Sequence, residues 1–343
     1  PSSGRQSQDI RYTYDAAGHV VFINDVTQNA GASFIGGVGV SPIKEFTYDS
    51  FYQLVEARGR THQSLDLRDY SHAPDAPGFI KGTRHLTLNN GAAIRRYRQT
   101  YHYDLAGNML QMTHRTDPLA SESPFIWQRN YWVSNTSNRS LPALDFNDNP
   151  ISLPESRFDA TGNCLYLPHL QSFEWNYLNQ LKTAVLIERS GQPNDAEYYV
   201  YGMESQRVRK VTERLVAGQL EITEKIYLDG CEIKRIRINN TVTLNRTTSH
   251  LTNGDQNVAL LHQWTIDTGN RETDNISQKK IHYQLGENQS SSNLELNDAG
   301  DVITYEEYFP FGCSSFLAGD QQRDIRLKDY RYSGKERDDA GGG

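Results

Sequence analysis

Tyr12-Thr-Tyr-Asp-Ala-Ala-Gly18 returns as Tyr101-His-Tyr-Asp-Leu-Ala-Gly107 and, worn, as Arg157-Phe-Asp-Ala-Thr-Gly162. A short unit that recurs means a chain built by repetition, so the unit decides the architecture. Tyr12 and Tyr14 share one face, because side chains alternate along extended backbone. Asp15 opens a turn, since its carboxylate can accept N–H groups two residues on. Gly18 suits the left-handed position that closes a type I turn with a bulge. Val20-Val-Phe-Ile23 is the return strand. Each unit therefore predicts strand, turn, strand, and the whole chain predicts an all-β array of hairpins. The turn residues of the copies are Asp15 and Gly18, Asp104 and Gly107, Asp159 and Gly162.

Looser copies extend the array. Phe46-Thr-Tyr-Asp49 leads to Leu54-Val55 without a turn glycine. Phe173-Glu-Trp-Asn176 leads to Leu181, and Tyr199-Val-Tyr-Gly202 to a strand at Arg207–Val211. Lys225-Ile-Tyr-Leu-Asp-Gly230 reads as a strand followed by an Asp-Gly turn. Ile281-His-Tyr283 and Leu294–Ile303 form a further hairpin around Asn297-Asp-Ala-Gly300, with Asp298 and Gly300 as turn residues. Stretches rich in Gly, Pro, Asn and Ser separate the copies: Gln28–Pro42, Asp66–Asn90, Asp117–Leu153 and Asn239–Asn275. They read as surface loops. Ser64–Tyr70 is the one short helix or turn expected.

Only 36% of the 343 residues are hydrophobic, yet 20 are Tyr. That balance suits sheets with one dry and one wet face better than a thick aliphatic core, because Tyr buries a ring and keeps its hydroxyl hydrated. The net charge of −7, with signs interspersed, argues against nucleic acid or an anionic membrane as partner. Arg207-Val-Arg-Lys210 and Lys234-Arg-Ile-Arg237 read as charges on a solvated strand face. Cys164, Cys231 and Cys313 are odd in number and far apart, which gives neither a disulfide framework nor zinc spacing. His62, His72, His85 and His102 lack metal-ligand spacing, and Asp298 and Asp301 read as turn residues rather than calcium ligands. No cofactor is expected. Glu306 and Glu307, adjacent on a strand, point to opposite faces and cannot act as an acid–base pair.

The Tyr-Asp-x-x-Gly units resemble the Rhs/YD repeats. Phe46-Thr-Tyr-Asp-Ser-Phe-Tyr-Gln-Leu-Val-Glu-Ala-Arg-Gly59, Tyr199-Val-Tyr-Gly-Met-Glu-Ser-Gln-Arg-Val-Arg-Lys210 and Glu306-Glu-Tyr-Phe-Pro-Phe-Gly312 are similar to stretches of the C component of bacterial Tc insecticidal toxin complexes. Tyr330-Arg-Tyr-Ser-Gly-Lys-Glu-Arg-Asp338 resembles the signature near the end of the Rhs core. The resemblance covers essentially the whole chain. It implies one Rhs/YD region over residues 1–343, the end-of-core signature at 330–339 and a truncated terminus at 340–343. It also implies a β-hairpin array winding into a hollow shell, here a partial shell open at its ends.

In that family the shell encloses a C-terminal toxic effector and presents it for translocation. The implied partners are a B-type shell component, the chain's own effector and, indirectly, an A-type channel component, with no nucleic acid or membrane contact by this segment. The protein would be made in the bacterial cytoplasm and released or secreted as part of a toxin complex. The family's Arg-Asp pair contributes to an aspartyl-protease-like site together with aspartates further downstream. The matching residues are Arg337 and Asp338; the later aspartates are absent, so the segment is expected not to be an enzyme by itself. The alternative reading is a secreted or surface YD-repeat module that binds glycans or a partner protein.

Overall fold

The computed structural model describes residues 6–28, 39–65, 90–117, 125–145, 148–254, 256–287, 291–319 and 322–338. Strands dominate. The first sheet contains β1 (Ile10–Tyr14), β2 (Val20–Asp25), β3 (Lys44–Tyr48), β4 (Leu54–His62), β5 (Ile94–Tyr103), β6 (Met109–Thr116), β7 (Phe125–Val133) and β8 (Ser140–Pro142). The second contains β9 (Ser172–Trp175), β10 (Leu181–Ile187), β11 (Asp195–Tyr201), β12 (Arg207–Val216), β13 (Gln219–Leu228), β14 (Cys231–Ile238), β15 (Thr241–Asn253), β16 (Gln256–Asp267), β17 (Lys280–Gly286), β18 (Ser292–Leu296), β19 (Val302–Tyr308) and β20 (Ser314–Gly319). In both sheets every strand lies beside its sequence neighbours, so the chain is all-β and neither sheet closes into a barrel. One short helix, α1 (Gln322–Leu327), follows.

The repeat unit explains itself locally. Asp15 Oδ1 accepts the N–H groups of Ala17 (2.9 Å) and His19 (2.8 Å), and Gly18 takes φ +91°. Asp104 does the same for Ala106 and Asn108, and Asp159 for Thr161 and Asn163, with Gly107 and Gly162 in the left-handed region. Where no glycine is available the turn forms at the cost of local strain: Tyr52 holds φ +64° and Asn179 +59°. In the Asn297–Gly300 turn the accepting side chain is Asn297, bonded to the N–H groups of Ala299 and Asp301, and not Asp298. The worn copy keeps its turn, but its strands shrink to a single bridge between Phe158 and Cys164.

The aromatic residue before each turn has a second task. The Tyr48 hydroxyl donates to the Val20 carbonyl (3.2 Å), Tyr103 to Leu54 (2.9 Å) and Tyr201 to Leu181 (2.9 Å), while Trp175 Nε1 donates to Cys164 (2.7 Å). Val20, Leu54 and Leu181 begin the return strands of the preceding hairpins, and Cys164 is the return residue of the Phe158 bridge. At these four positions the ring therefore staples one hairpin to the next.

Among the described residues, contacts give two compact units, one of residues up to 155 with 305–319, the other of residues 156–304 with 322–338. In the first, Arg60 is 0% exposed and bonded through Nη2 (2.6 Å) and Nε (2.9 Å) to Glu307, which also accepts from the Tyr305 hydroxyl. Tyr97 packs edge-on against Phe309 and lies so near Gly59 that a Cβ there would stand 2.8 Å from the ring. Glu306 accepts from Ser314 and Tyr308, so the two adjacent acids do serve opposite faces. In the second unit, Leu170, Ala184 and Tyr199 form an apolar cluster joined by Leu167, Phe173 and Leu181.

Several expectations are corrected. Asp117–Leu153 carries β7 and β8, and Asn239–Asn275 carries β15 and β16, the longest strands among the described residues, rather than surface loops. Along Thr241–Ser249 the buried positions Leu244, Arg246 and Thr248 alternate strictly, a strand period masked by polar composition. The tyrosine face is not simply wet: Tyr97, Tyr101, Tyr199, Tyr305 and Tyr308 are buried beside buried charges. Gln63–Leu65 forms a single 3-10 turn, and the rest of the expected helix over Ser64–Tyr70 lies outside the described residues. Most of Gln28–Pro42 and Asp66–Asn90, with His72 and His85, lies outside them too.

Candidate functional site

The second unit brings a row of cations into register. Lys210 on β12 pairs with Lys225 on β13, Lys225 with Lys234 on β14, and Lys234 with Arg246 on β15. Two-residue connections set the first two pairings, since Val216 pairs with Gln219 and Leu228 with Cys231. Like charges directly opposite one another repel. At the strand spacing and an effective dielectric constant near 20, each adjacent pair costs about 3 kcal/mol if nothing intervenes. The row is nonetheless buried, with Lys225 7% and Arg246 0% exposed at the side chain.

The acids that neutralise it come from the wall (Glu197, Glu232 and Glu272) and from Asp329, Glu336 and Asp338 at and just before the end-of-core signature. Residues 328–338 lie along the row as a strap, joined to itself by one bridge between Tyr330 and Glu336. Lys225 Nζ donates to Asp329 (2.7 Å) and Glu336 (2.9 Å). Arg246 reaches Asp329 (3.1 Å) and the wall residue Glu272 (3.0 Å), which also takes Lys234 (2.8 Å). The Tyr227 hydroxyl donates to Glu336, and the Tyr330 hydroxyl to Glu232 (2.7 Å). At the far end, Asp338 receives both guanidinium nitrogens of Arg207, Nη1 at 2.7 Å, and Lys210 Nζ at 2.8 Å.

Electrostatics follow from these contacts. Burial alone would push the Asp338 carboxyl up, but Arg207 and Lys210 outweigh it and hold the group below the ordinary carboxylate range. Burial also opposes ionisation of Asp329, and Lys225, Lys234 and Arg246 override it downward. Glu272 falls to about 2 against its own burial, through Arg246 and Lys234. Lys210, disfavoured by burial, is raised by Glu197 and Asp338. Asp329, Asp338, Glu272 and Lys210 are therefore ionised together across the ordinary pH range.

Arg207 and Lys210 of Arg207-Val-Arg-Lys210 thus do not lie on a solvated strand face. Arg209, Arg235 and Arg237 do lie on the other face, gathered around the buried Glu224. Arg337 is half-buried in the strap, and its N–H donates to the Asp329 carbonyl (3.1 Å). The cations on Asp338 are brought from β12. The repeat-turn residues Asp15, Asp104 and Asp159 lie at separate hairpin tips and converge on no common site. His62 is buried on β4 and His102 exposed on β5; among the described residues no group of His, Cys, Asp and Glu could hold a metal ion. The three cysteines are free and half-buried. Among the described residues no helix is long and apolar enough to cross a membrane.

No model of a known protein family matches the chain. Two curated toxin subunits of Yersinia entomophaga do: YenC1 is 32% identical over 341 residues, 99% of this chain and 32% of the relative, and YenC2 is 30% identical over 337 residues, 97% and 32%. Among solved structures, the TcdB2–TccC3 complex aligns with a TM-score of 0.81 at 26% identity, covering 99% of this chain and 15% of that one. The chain belongs with the Rhs/YD-repeat C components of Tc toxins. A Photorhabdus luminescens Tc holotoxin pore aligns equally well, TM-score 0.81 at 27% identity over 99% of this chain and 15% of that one. The segment spans about a third of the curated C-component relatives it matches. In this Tc-type chain the Rhs signature is a docked strap, and its partner row of cations went unrecognised in the sequence. The Asp229-Gly230 turn could have revealed part of it, because a two-residue loop puts Lys225 opposite Lys234.

Proposed function

We propose that this chain is a wall segment of a Tc toxin C component. In this reading residues 1–343 are one Rhs/YD region whose hairpins wind into part of a hollow shell. The shell encloses a toxic effector carried after the signature and, closed by a B-type subunit, presents it to an A-type channel component. The segment's own task is structural. The complete protein is made in the bacterial cytoplasm and leaves the cell within the toxin complex.

The observation that carries this reading is the chain-order antiparallel array, which aligns over 99% of its length with TcdB2–TccC3. A wall of stapled hairpins needs no closed core of its own, because each hairpin is completed by its neighbours. By resemblance, Arg337 and Asp338 match the Arg-Asp pair of the family's self-cleaving site, whose further aspartates lie downstream of the signature; peptide hydrolysis by two carboxylates needs one ionised and one protonated. The test is co-expression of the full-length protein with a propeller-bearing B-type subunit, followed by cryo-EM of the purified material. A closed hollow particle containing extra density supports the proposal. A solid particle, or two proteins that never co-purify, overturns it.

A further inference from the structure

The face of β12–β14 turned away from the strap carries a second gathering of charge. The Glu224 side chain is 6% exposed, and three guanidinium groups close over it. Its Oε1 accepts from Arg209, Nε at 2.7 Å and Nη2 at 2.6 Å. Its Oε2 accepts from Arg235 Nη1 at 3.3 Å and Arg237 Nη2 at 3.0 Å. One carboxylate thus answers three cations, and its acceptor sites are filled. Each guanidinium has five N–H donors, so most of them are unused. Arg235 keeps its whole Nε–Nη2 edge, the edge that binds a carboxylate through two parallel bonds. Glu213, the other acid on this face of the three strands, stands opposite Ile222, so cations exceed acids there three to two. Beside the cluster, on β11, Val200 stands opposite Arg209 and Tyr198 opposite Val211, 45% and 37% exposed.

We propose that this face is a docking surface for an acidic, extended segment of a partner protein, with Arg235 as its anchor. The inner edges of the three guanidinium groups converge on Glu224, so their free edges turn outward and away from one another. Divergent donors fit carboxylates carried on separate residues, whereas a single phosphate is held by donors that converge. Arg235 and Arg237 are two residues apart on one strand, roughly 7 Å, the repeat of alternate side chains on an extended partner. Arginine suits this task because its planar fork matches a carboxylate and is weakly hydrated, and Arg beside Tyr is the composition enriched in protein interfaces. The buried Glu224 holds the guanidinium groups in place before anything binds, which lowers the ordering cost of association. The surface lies on the face opposite the strap and does not depend on the function proposed above.

The experiment is fluorescence anisotropy with the full-length protein. The probes are a labelled peptide of alternating Glu and Thr, its counterpart with Gln for every Glu, and inorganic phosphate as competitor. The Glu peptide should bind at about 20 and at about 150 mM salt, less tightly at the higher, and the Gln peptide at neither. Arg235→Gln should weaken binding about tenfold. Arg235→Lys keeps the charge but loses the fork, and should recover only part of that loss. Lys182→Gln removes an equal charge from exposed β10 and should leave the affinity unchanged. Arg235 gives Glu224 its longest contact, so both Arg235 variants leave Arg209 and Arg237 on the carboxylate, and an unchanged Tm checks that they fold. A Glu peptide that does not bind, or binds no better than the Gln peptide, would overturn the inference. So would Arg235→Gln behaving like Lys182→Gln. Displacement of the peptide by an equal concentration of phosphate would make this a small-anion site and overturn the docking surface.

Discussion

Replacing Asp329 by Asn keeps the shape and one acceptor of the strap while removing its most shared charge. Asp329 serves Lys225 at 2.7 Å and Arg246 at 3.1 Å, both buried, and is itself 20% exposed at the side chain. Breaking a buried pair from one side costs about 3–5 kcal/mol. Lys225 would retain Glu336 and Glu232, and Arg246 would retain Glu272, so the low end applies, about 3 kcal/mol. For a unit of this size that is roughly 6–12 °C in Tm. The assay is thermal unfolding together with hydrogen exchange of peptides spanning residues 328–338. The strap should lose protection before the sheet does. Adding Lys225→Met should recover part of the loss, with a coupling of about 1 kcal/mol or more. An unchanged Tm, with the strap as protected as before, would refute the idea that the acidic strap neutralises the row.

The remaining expectations concern single features. Asn297→Ala should raise amide exchange at Ala299 and Asp301, whereas Asp298→Ala should leave both unchanged. Tyr103→Phe removes the staple to the Leu54 carbonyl and should cost about 1 kcal/mol in urea unfolding. Arg60→Met leaves Glu307 buried without its main cation and should cost about 3–5 kcal/mol; Arg60→Met with Glu307→Gln should cost less than the single change. Because Glu272, Asp329 and Asp338 are depressed on folding, their contribution is complete above the unfolded carboxylate values near 4. It fades as pH falls through the folded values, about 2 for Glu272. Strap protection by hydrogen exchange should therefore be flat from about pH 8 to 5, begin to decline below about pH 4 and be largely lost only near pH 2.

The all-β array was legible because its signals are local. Asp15, Asp49, Asp104, Asp159 and Asn176 act on amides two and four residues away, and the rings alternate with period two. β15 is hard to read because Thr, Asn and Ser dominate it and mask the alternation of Leu244, Arg246 and Thr248, and β16 lies in the same Asn- and Thr-rich stretch. At the Asn297–Gly300 turn it is Asn297, not Asp298, that stands in the register of Asp15 and accepts the turn amides.

Sequence alone determined the hairpins, their turns and the family kinship, since each depends on residues a few positions apart. It also held half of the cation row, because the two-residue turns at Ala217-Gly218 and Asp229-Gly230 dictate which lysines face each other. Only the tertiary structure decided that this row is buried and that residues 328–338 come to lie on it. The β-bulge between Ile236 and Arg237 shifts the last pairing, and the strap's acids arrive from about a hundred residues along the chain. Ion pairing of that kind has no sequence period; it exists only where folding brings opposite charges into a space from which water has been removed.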